Sequence, residues 1–239
     1  HDSAVEEKEQ EELNEYYSSN DDFWLDYISD SGDGFNSTYS VAHLVGLPSL
    51  EIETGQGKKQ IPRGKILILG GDQVYPTPTM EMYDNKFRIP FKAAFPYQDE
   101  TEHPHMYAIP GNHDWYDGLS NFIKLFCQKR WIGNWITKQH RSYFALQLPH
   151  GHWIWATDIQ LNSDIDKPQL DYFLHVAKNK MKDGDKVILI TAEPAWVFMQ
   201  MYKGNKSFDK LDYFTKVYIT EDKYGWVGKK FKLTATITG

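Results

Sequence analysis

Hydrophobic positions fall into two rhythms along this chain. Unbroken apolar runs, "ILIL" at residues 66–69, "MYAI" at 106–109 and "VILI" at 187–190, predict strands buried on both faces. By contrast, Leu119, Phe122, Ile123, Phe126 and Cys127 repeat at i, i+3, i+4, i+7 and i+8, which predicts a helix, and Leu170, Phe173, Leu174, Ala177 and Met181 mark another that ends near Gly184. "FWLDYISD" opens the ordered pattern as a short strand, and residues 37–45 fit a helix ended by Gly46. "RSYFALQL" and "HWIWATD" read as paired strands about a turn at Pro149 to Gly151, and "FKLTATITG" reads as a last strand.

Between these elements, "PSLEIETGQGKKQIPRG" reads as a polar connection, and the proline-punctuated residues 76–104 as a long functional loop with at most a short helix. The order of strands and helices is an α/β pattern, in which ligands gather at the carboxyl ends of strands.

Composition narrows the class. The 239 residues are long enough for a substantial core, read here as one domain, residues 23–239, behind an acidic and exposed segment, residues 1–22. A net charge of -7 with no basic cluster standing out argues against general nucleic-acid binding. Cys127 is the single cysteine, which excludes a disulfide framework, and it reads as a small core residue. No run approaches the roughly 20 apolar residues of a membrane span, and no secretory signal opens the chain, which favours the cytoplasm. Membrane association and oligomeric state are not legible. The closing strand stops at Gly239, which suggests a piece of a longer chain.

The chemistry sits at strand ends. Asp30, Asp72 and Asn112 each follow an apolar run, and such oxygen donors suit a hard or borderline cation. Two cations bridged by one carboxylate would generate a hydroxide at neutral pH and clamp a phosphate for in-line attack. Gly71 and Gly111 let backbone approach closely, and His113 could stabilise charge on phosphate or protonate a leaving oxygen.

"SDSG" at residues 29–32, "GGDQVY" at 70–75 and "PGNHDWYDG" at 110–118 resemble the first three blocks of the calcineurin-like metallophosphoesterases, D-x-H, G-D-x-x-D and G-N-H-D/E. The resemblance covers roughly residues 23–239. It implies a four-layer α/β sandwich, two mixed sheets flanked by helices, and hydrolysis of a phosphate mono- or diester by a metal-bridged hydroxide. The implied cofactors are two metal ions, drawn from Fe, Mn or Zn, and the implied partner is a phosphoester substrate.

Two departures are complementary. Gly32 stands where the common pattern has a metal-binding His, and Tyr75 where it has Asp; the same paired replacement occurs in the purple acid phosphatase branch. By that resemblance Asp30 and Tyr75 hold the first metal, Asp72 bridges, Asn112 serves the second, and His113 faces the phosphate. Asp114 is expected to cap a helix or hold backbone rather than bind metal. The next block normally presents a His where this chain has Ala192, so the second site is expected to be weakened or altered, with Glu193 a possible replacement. The last block, G-H-x-H, would fall beyond Gly239.

Each residue also has a plainer reading. Asp30 and Asp72 alone could cap turns, and Tyr75 could be a packed phenol. His150 and His152 precede the "VILI" strand, out of order for the missing block, and suit a turn and a strand face. His103 and His105 are expected in solvent, and the aromatics of "DWYDG" line a groove or pack. A non-catalytic binding or scaffold protein with a degraded second metal site is the alternative to an enzyme. A sugar- or nucleotide-binding module has no motif behind it.

Overall fold

A computed structural model of the chain describes residues 15–19, 21–159, 165–194 and 207–239. Two compact units are present, Asp22–Arg141, and Ser142–Gly239 together with the segment up to Asp21. Tyr17, in the acidic opening, is buried in contrast to the exposed segment expected there, and the Lys180 ammonium meets Glu15 at 3.2 Å.

In the first unit the apolar runs pair as expected. Strands β1 (Leu25–Ile28), β4 (Ile66–Leu69) and β5 (His105–Ala108) lie side by side in parallel. β7 (Trp135–Thr137) continues the sheet in parallel, and β6 (Trp131–Ile132) closes it antiparallel. Leu67, Leu69, Met106 and Ala108 pack on Phe87, Phe91, Phe122 and Phe126, while Ile66, Ile68 and Tyr107, on the other face, are equally buried. Both faces are therefore covered, which is why these strands carry no polar alternation. Helix α1 (Phe35–Gly46) follows β1, and its Thr38 hydroxyl donates to the Ser31 carbonyl, tying the helix to the loop after β1.

Two expectations in this unit are corrected. The polar connection is a hairpin, β2 (Ser49–Thr54) with β3 (Gly57–Pro62), turned through Gly55 and Gln56, with Gly57 at φ 105°. Its side chains are largely exposed, so no buried face marked it; the two-residue glycine turn was the available signal.

The long loop is instead mostly helical: α2 (Met80–Tyr83), a π turn at Asp84–Arg88, and α3 (Ile89–Ala94). Tyr83, Phe87 and Phe91 recur every fourth residue and are fully buried. Pro90 hid this helix. A proline inside a helix lacks a donor and crowds the carbonyl four residues back. The π turn widens the backbone just before it, with the Ile89 N–H reaching the Asp84 carbonyl five residues back. Downstream, a 3-10 turn at Asp114–Asp117 leads into α4 (Ser120–Phe126), a shorter helix than the periodicity suggested.

The second unit holds β8 (Phe144–Leu148), β9 (His152–Thr157), β10 (Lys186–Thr191) and β11 (Lys232–Thr238) in the order β11-β10-β9-β8, with only β8 antiparallel. Helix α5 (Lys167–Asn179) and helix α6 (Ser207–Thr215), which runs into a π turn at Lys216–Thr220, supply Phe173, Val176, Phe214 and Val217 to a core shared with Trp153, Trp155 and Leu189. Trp155 stacks on Phe173 at 4.9 Å. Both units are thus mixed α/β, sheets with helices packed on them. No helix among the described residues is long and apolar enough to cross a membrane.

Cys127 is buried, as expected of a core thiol. His150 sits in the turn before β9, where its Nε2 meets the Asp21 carbonyl at 3.1 Å, and His152 opens β9. His105 departs from the solvated role expected of it. It opens β5 and is only 7% exposed, and burial pushes its imidazole down to about 3, helped by Lys138 and His103. His103 is held too, its Nδ1 2.9 Å from the Asn134 Oδ1 and its ring stacked on Tyr97.

Candidate metal centre

The site residues are delivered by three adjacent parallel strands. Ile28, Leu69 and Ala108 stand in register across β1, β4 and β5, and the loops leaving these ends carry Asp30, then Asp72 and Tyr75, then Asn112 and His113. Backbone bonding continues past the strand ends. The Gly70 N–H donates to Ile28, the Ile109 N–H to Leu69, the Asp30 N–H to Gly71, and the Tyr75 N–H to Gly32. The loops are therefore stitched together as an extension of the sheet.

Both aspartates adopt left-handed backbone, φ 54° at Asp30 and φ 50° at Asp72. Such conformations cost on the order of 1 kcal/mol or more for a residue with a Cβ, and they concentrate where surrounding structure enforces them for function. The Tyr75 hydroxyl lies 2.6 Å from Asp30 Oδ1 and 3.0 Å from Asp72 Oδ2, donating between them. Three oxygens from two loops thus converge. Burial, then the hydrogen bond to Asp30 and the charges of both carboxylates, raises the Tyr75 phenol well above its ordinary value.

Asp72 spans to the third loop. Its Oδ1 accepts the His113 backbone N–H at 2.8 Å, and a Cβ on Gly111 would lie 2.0 Å from that same oxygen, so glycine is required there. The His113 Nδ1 is 2.9 Å from the Pro76 carbonyl, which can only accept; Nδ1 therefore carries the hydrogen, and Nε2 is left for other chemistry. The His113 ring stands between Tyr75 at 4.5 Å and Tyr116 at 4.8 Å. The Asn112 amide donates through Nδ2 to the Tyr116 hydroxyl at 3.1 Å, which leaves its Oδ1 as the end able to meet a cation.

Beneath this surface Asp114 binds backbone, as expected. It is fully buried, accepts from the Gly111 N–H at 2.8 Å and the Gln73 N–H at 3.4 Å, and receives the Tyr83 hydroxyl. Burial raises its carboxyl to about 7 against the opposing pull of those donors. Tyr83 was missed from sequence because its helix was read as loop. Tyr116 was seen only as a groove aromatic.

The first-block glycine has a steric reason. A Cβ on Gly32 would lie 1.8 Å from the Gln73 carbonyl oxygen and 2.4 Å from the Val74 Cα, so no side chain fits at the position where the related pattern places a His. Among the described residues no group of three or more His, Cys, Asp and Glu could hold a metal. The donors that converge here are two carboxylates and a phenol, and that oxygen set fits a hard or borderline cation. Ala192 follows β10 directly and offers no metal-binding atom in its own side chain, with Thr191 and Glu193 on either side of it.

Adjacent parallel strand ends thus bring the Asp30 and Asp72 carboxylates to the Tyr75 hydroxyl, with the His113 ring beside Tyr75, at the edge of the sheet where ligands gather in α/β folds. The chain matches the family model for calcineurin-like phosphoesterase over residues 10–220, and it belongs to that family, with whose fold its mixed α/β units are consistent. No curated protein and no solved structure matched it.

Proposed function

We propose that the chain hydrolyses a phosphate mono- or diester with two cations, Asp30 and Tyr75 holding the first, Asp72 bridging, and Asn112 serving the second. The observation that carries this reading is the position of the Tyr75 hydroxyl, within hydrogen-bond distance of both the Asp30 and Asp72 carboxylates. A cation held here would be offered the phenol oxygen and one oxygen from each of the two carboxylates. When bound, two cations supply a nucleophilic oxygen at neutral pH and neutralise phosphate charge.

The protein's own residues do the rest. Asp72, fixed by the His113 N–H, keeps the second and third loops at one spacing. His113, with Nδ1 committed to Pro76, presents Nε2 to stabilise phosphate charge or to protonate the leaving oxygen. Ala192 stands where the family pattern has a His, which is the reason to expect an altered second site. Asp72→Asn and His113→Ala should each lower turnover of an aryl phosphate at least about a hundredfold. Unchanged turnover in both defeats the assignment.

The second reading, a non-catalytic scaffold of the same fold, rests on Ala192. Metal analysis of the purified protein separates the two: about two ions per chain with hydrolysis supports the enzyme, and neither metal nor turnover supports the scaffold.

A further inference from the structure

Gly118–Thr157 contains Lys124, Lys129, Arg130, Lys138 and Arg141 but no Asp or Glu, within a chain of net charge -7. Part of this stretch folds against the π-turn helix to form a groove of about 250 Å³, lined by Met80, Asp84, Arg88, Lys124, Leu125, Arg130 and Trp131. Met80, Asp84 and Arg88 recur every fourth residue on one side of that helix. Lys124 and Leu125 come from α4, Arg130 from the turn before β6, and Trp131 from the first position of β6. No lining residue belongs to the strand-end cluster.

The lining has two chemical halves. Three cationic side chains stand against one carboxylate, giving an excess of positive charge. Arg88 is held by Asp84 at 2.6 Å, and Arg130 is steadied by the Lys124 carbonyl at 3.3 Å and Gln128 Oε1 at 3.0 Å. Its backbone is pinned as well, the N–H reaching Thr137 Oγ1 at 2.7 Å. The guanidiniums are thereby placed rather than dispersed. The apolar half is Met80, Leu125 and Trp131, whose indole is 45% exposed and is braced edge-on by Tyr97 at 5.0 Å and His103 at 4.7 Å. An exposed, braced indole beside cations suits a flat ring joined to an anionic group.

We propose that this groove is a second binding site, for a small organic anion consisting of a flat ring and a phosphate, on the scale of a nucleoside monophosphate. The phosphate meets Arg88, Lys124 and Arg130, and the ring lies on Trp131 over Leu125 and Met80. The site is independent of metal, so it stands or falls apart from the proposed hydrolysis.

Calorimetric titration of the chelator-treated full chain with adenosine monophosphate, inorganic phosphate and adenosine tests it. Saturable binding of the monophosphate is expected at or below about 1 mM, weakening at least tenfold in the double variant R88Q/R130Q and with raised salt, yet persisting in Asp72→Asn. Trp131→Ala should weaken the monophosphate and leave inorganic phosphate unchanged. Lys124→Glu, an exposed charge reversal, provides an arm that is independent of the guanidinium contacts and should also weaken binding. The site is overturned by absence of saturable binding, or by binding that the basic-residue variants leave intact. Equal affinity for adenosine overturns the anionic half, and equal affinity for inorganic phosphate overturns the ring half.

Discussion

Gly32 and Tyr75 lie on two loops joined by a backbone bond, the Tyr75 N–H donating to the Gly32 carbonyl at 3.1 Å. The Gln73 carbonyl closes the space beside Gly32, and the Tyr75 hydroxyl reaches Asp30 from the neighbouring strand end. Gly32→Ala should therefore destabilise the fold by about 1 to 3 kcal/mol, as overpacking against backbone does, read from the midpoint of urea unfolding. A variant as stable as the parent would show that the loop yields easily and that a His could be accommodated. The proposed role of Tyr75 as a metal ligand has a spectroscopic test. In ferric-loaded protein a phenolate ligand gives a charge-transfer band, which should vanish in Tyr75→Phe; a band that survives the substitution assigns it to another tyrosine. The complementary departures were readable in the sequence, because both fall inside recognisable blocks. The closed space beside Gly32 was not, because it depends on the backbone of a residue far along the chain.

At the scale of elements, local rules succeeded where one residue pattern dominated and failed where two competed. The apolar strands and α5 were legible because their periodicity had no rival. The Met80–Ala94 run carries an aromatic repeat, but Pro90 signals a break, and the π turn that reconciles them has no simple sequence mark. The hairpin at residues 49–62 buries little and left only its turn residues to read. Helix α5 also shows what capping adds. Asp166 accepts the Gln169 N–H at 2.9 Å at its start, and at its end the Lys229 ammonium donates to the carbonyls of Lys178 at 2.6 Å and Met181 at 2.7 Å. Asp166→Ala and Lys229→Met should each cost about 1 kcal/mol. Because the two caps lie at opposite ends, the double variant should lose the sum within about 0.5 kcal/mol, checked by chemical denaturation. A large coupling would mean that the ends share a structural response.

For the whole molecule, His105 sets a limit on acid stability. Its folded value, near 3, lies below the ordinary 6.5 because burial disfavours the charged ring. Between those values the unfolded chain binds the proton and the folded one does not, so the contribution is intact above about pH 6.5 and is lost as pH falls toward 3. Lowering the pH from 7 to 5 should cost about 2 kcal/mol through this residue, and His105→Gln should flatten that part of the profile. The comparison is the pH dependence of the unfolding midpoint in the two proteins; parallel profiles would rule His105 out as the cause.

The sequence alone determined the α/β class, the buried strands and the order of the strand-end blocks, since each depends on residues close together in the chain. It also named Asp30, Asp72, Tyr75, Asn112 and His113 as candidates. Only the tertiary structure decided that β1, β4 and β5 are neighbours in register, and that the Tyr75 hydroxyl lies between two carboxylates. It also showed that Asp114 and Tyr83 hold the loops from below, and that basic side chains from separate elements line one groove. The physical reason is the same in each case. Periodicity and turn chemistry are local, whereas convergence of polar groups from distant segments is set by strand pairing and by the space that packing leaves.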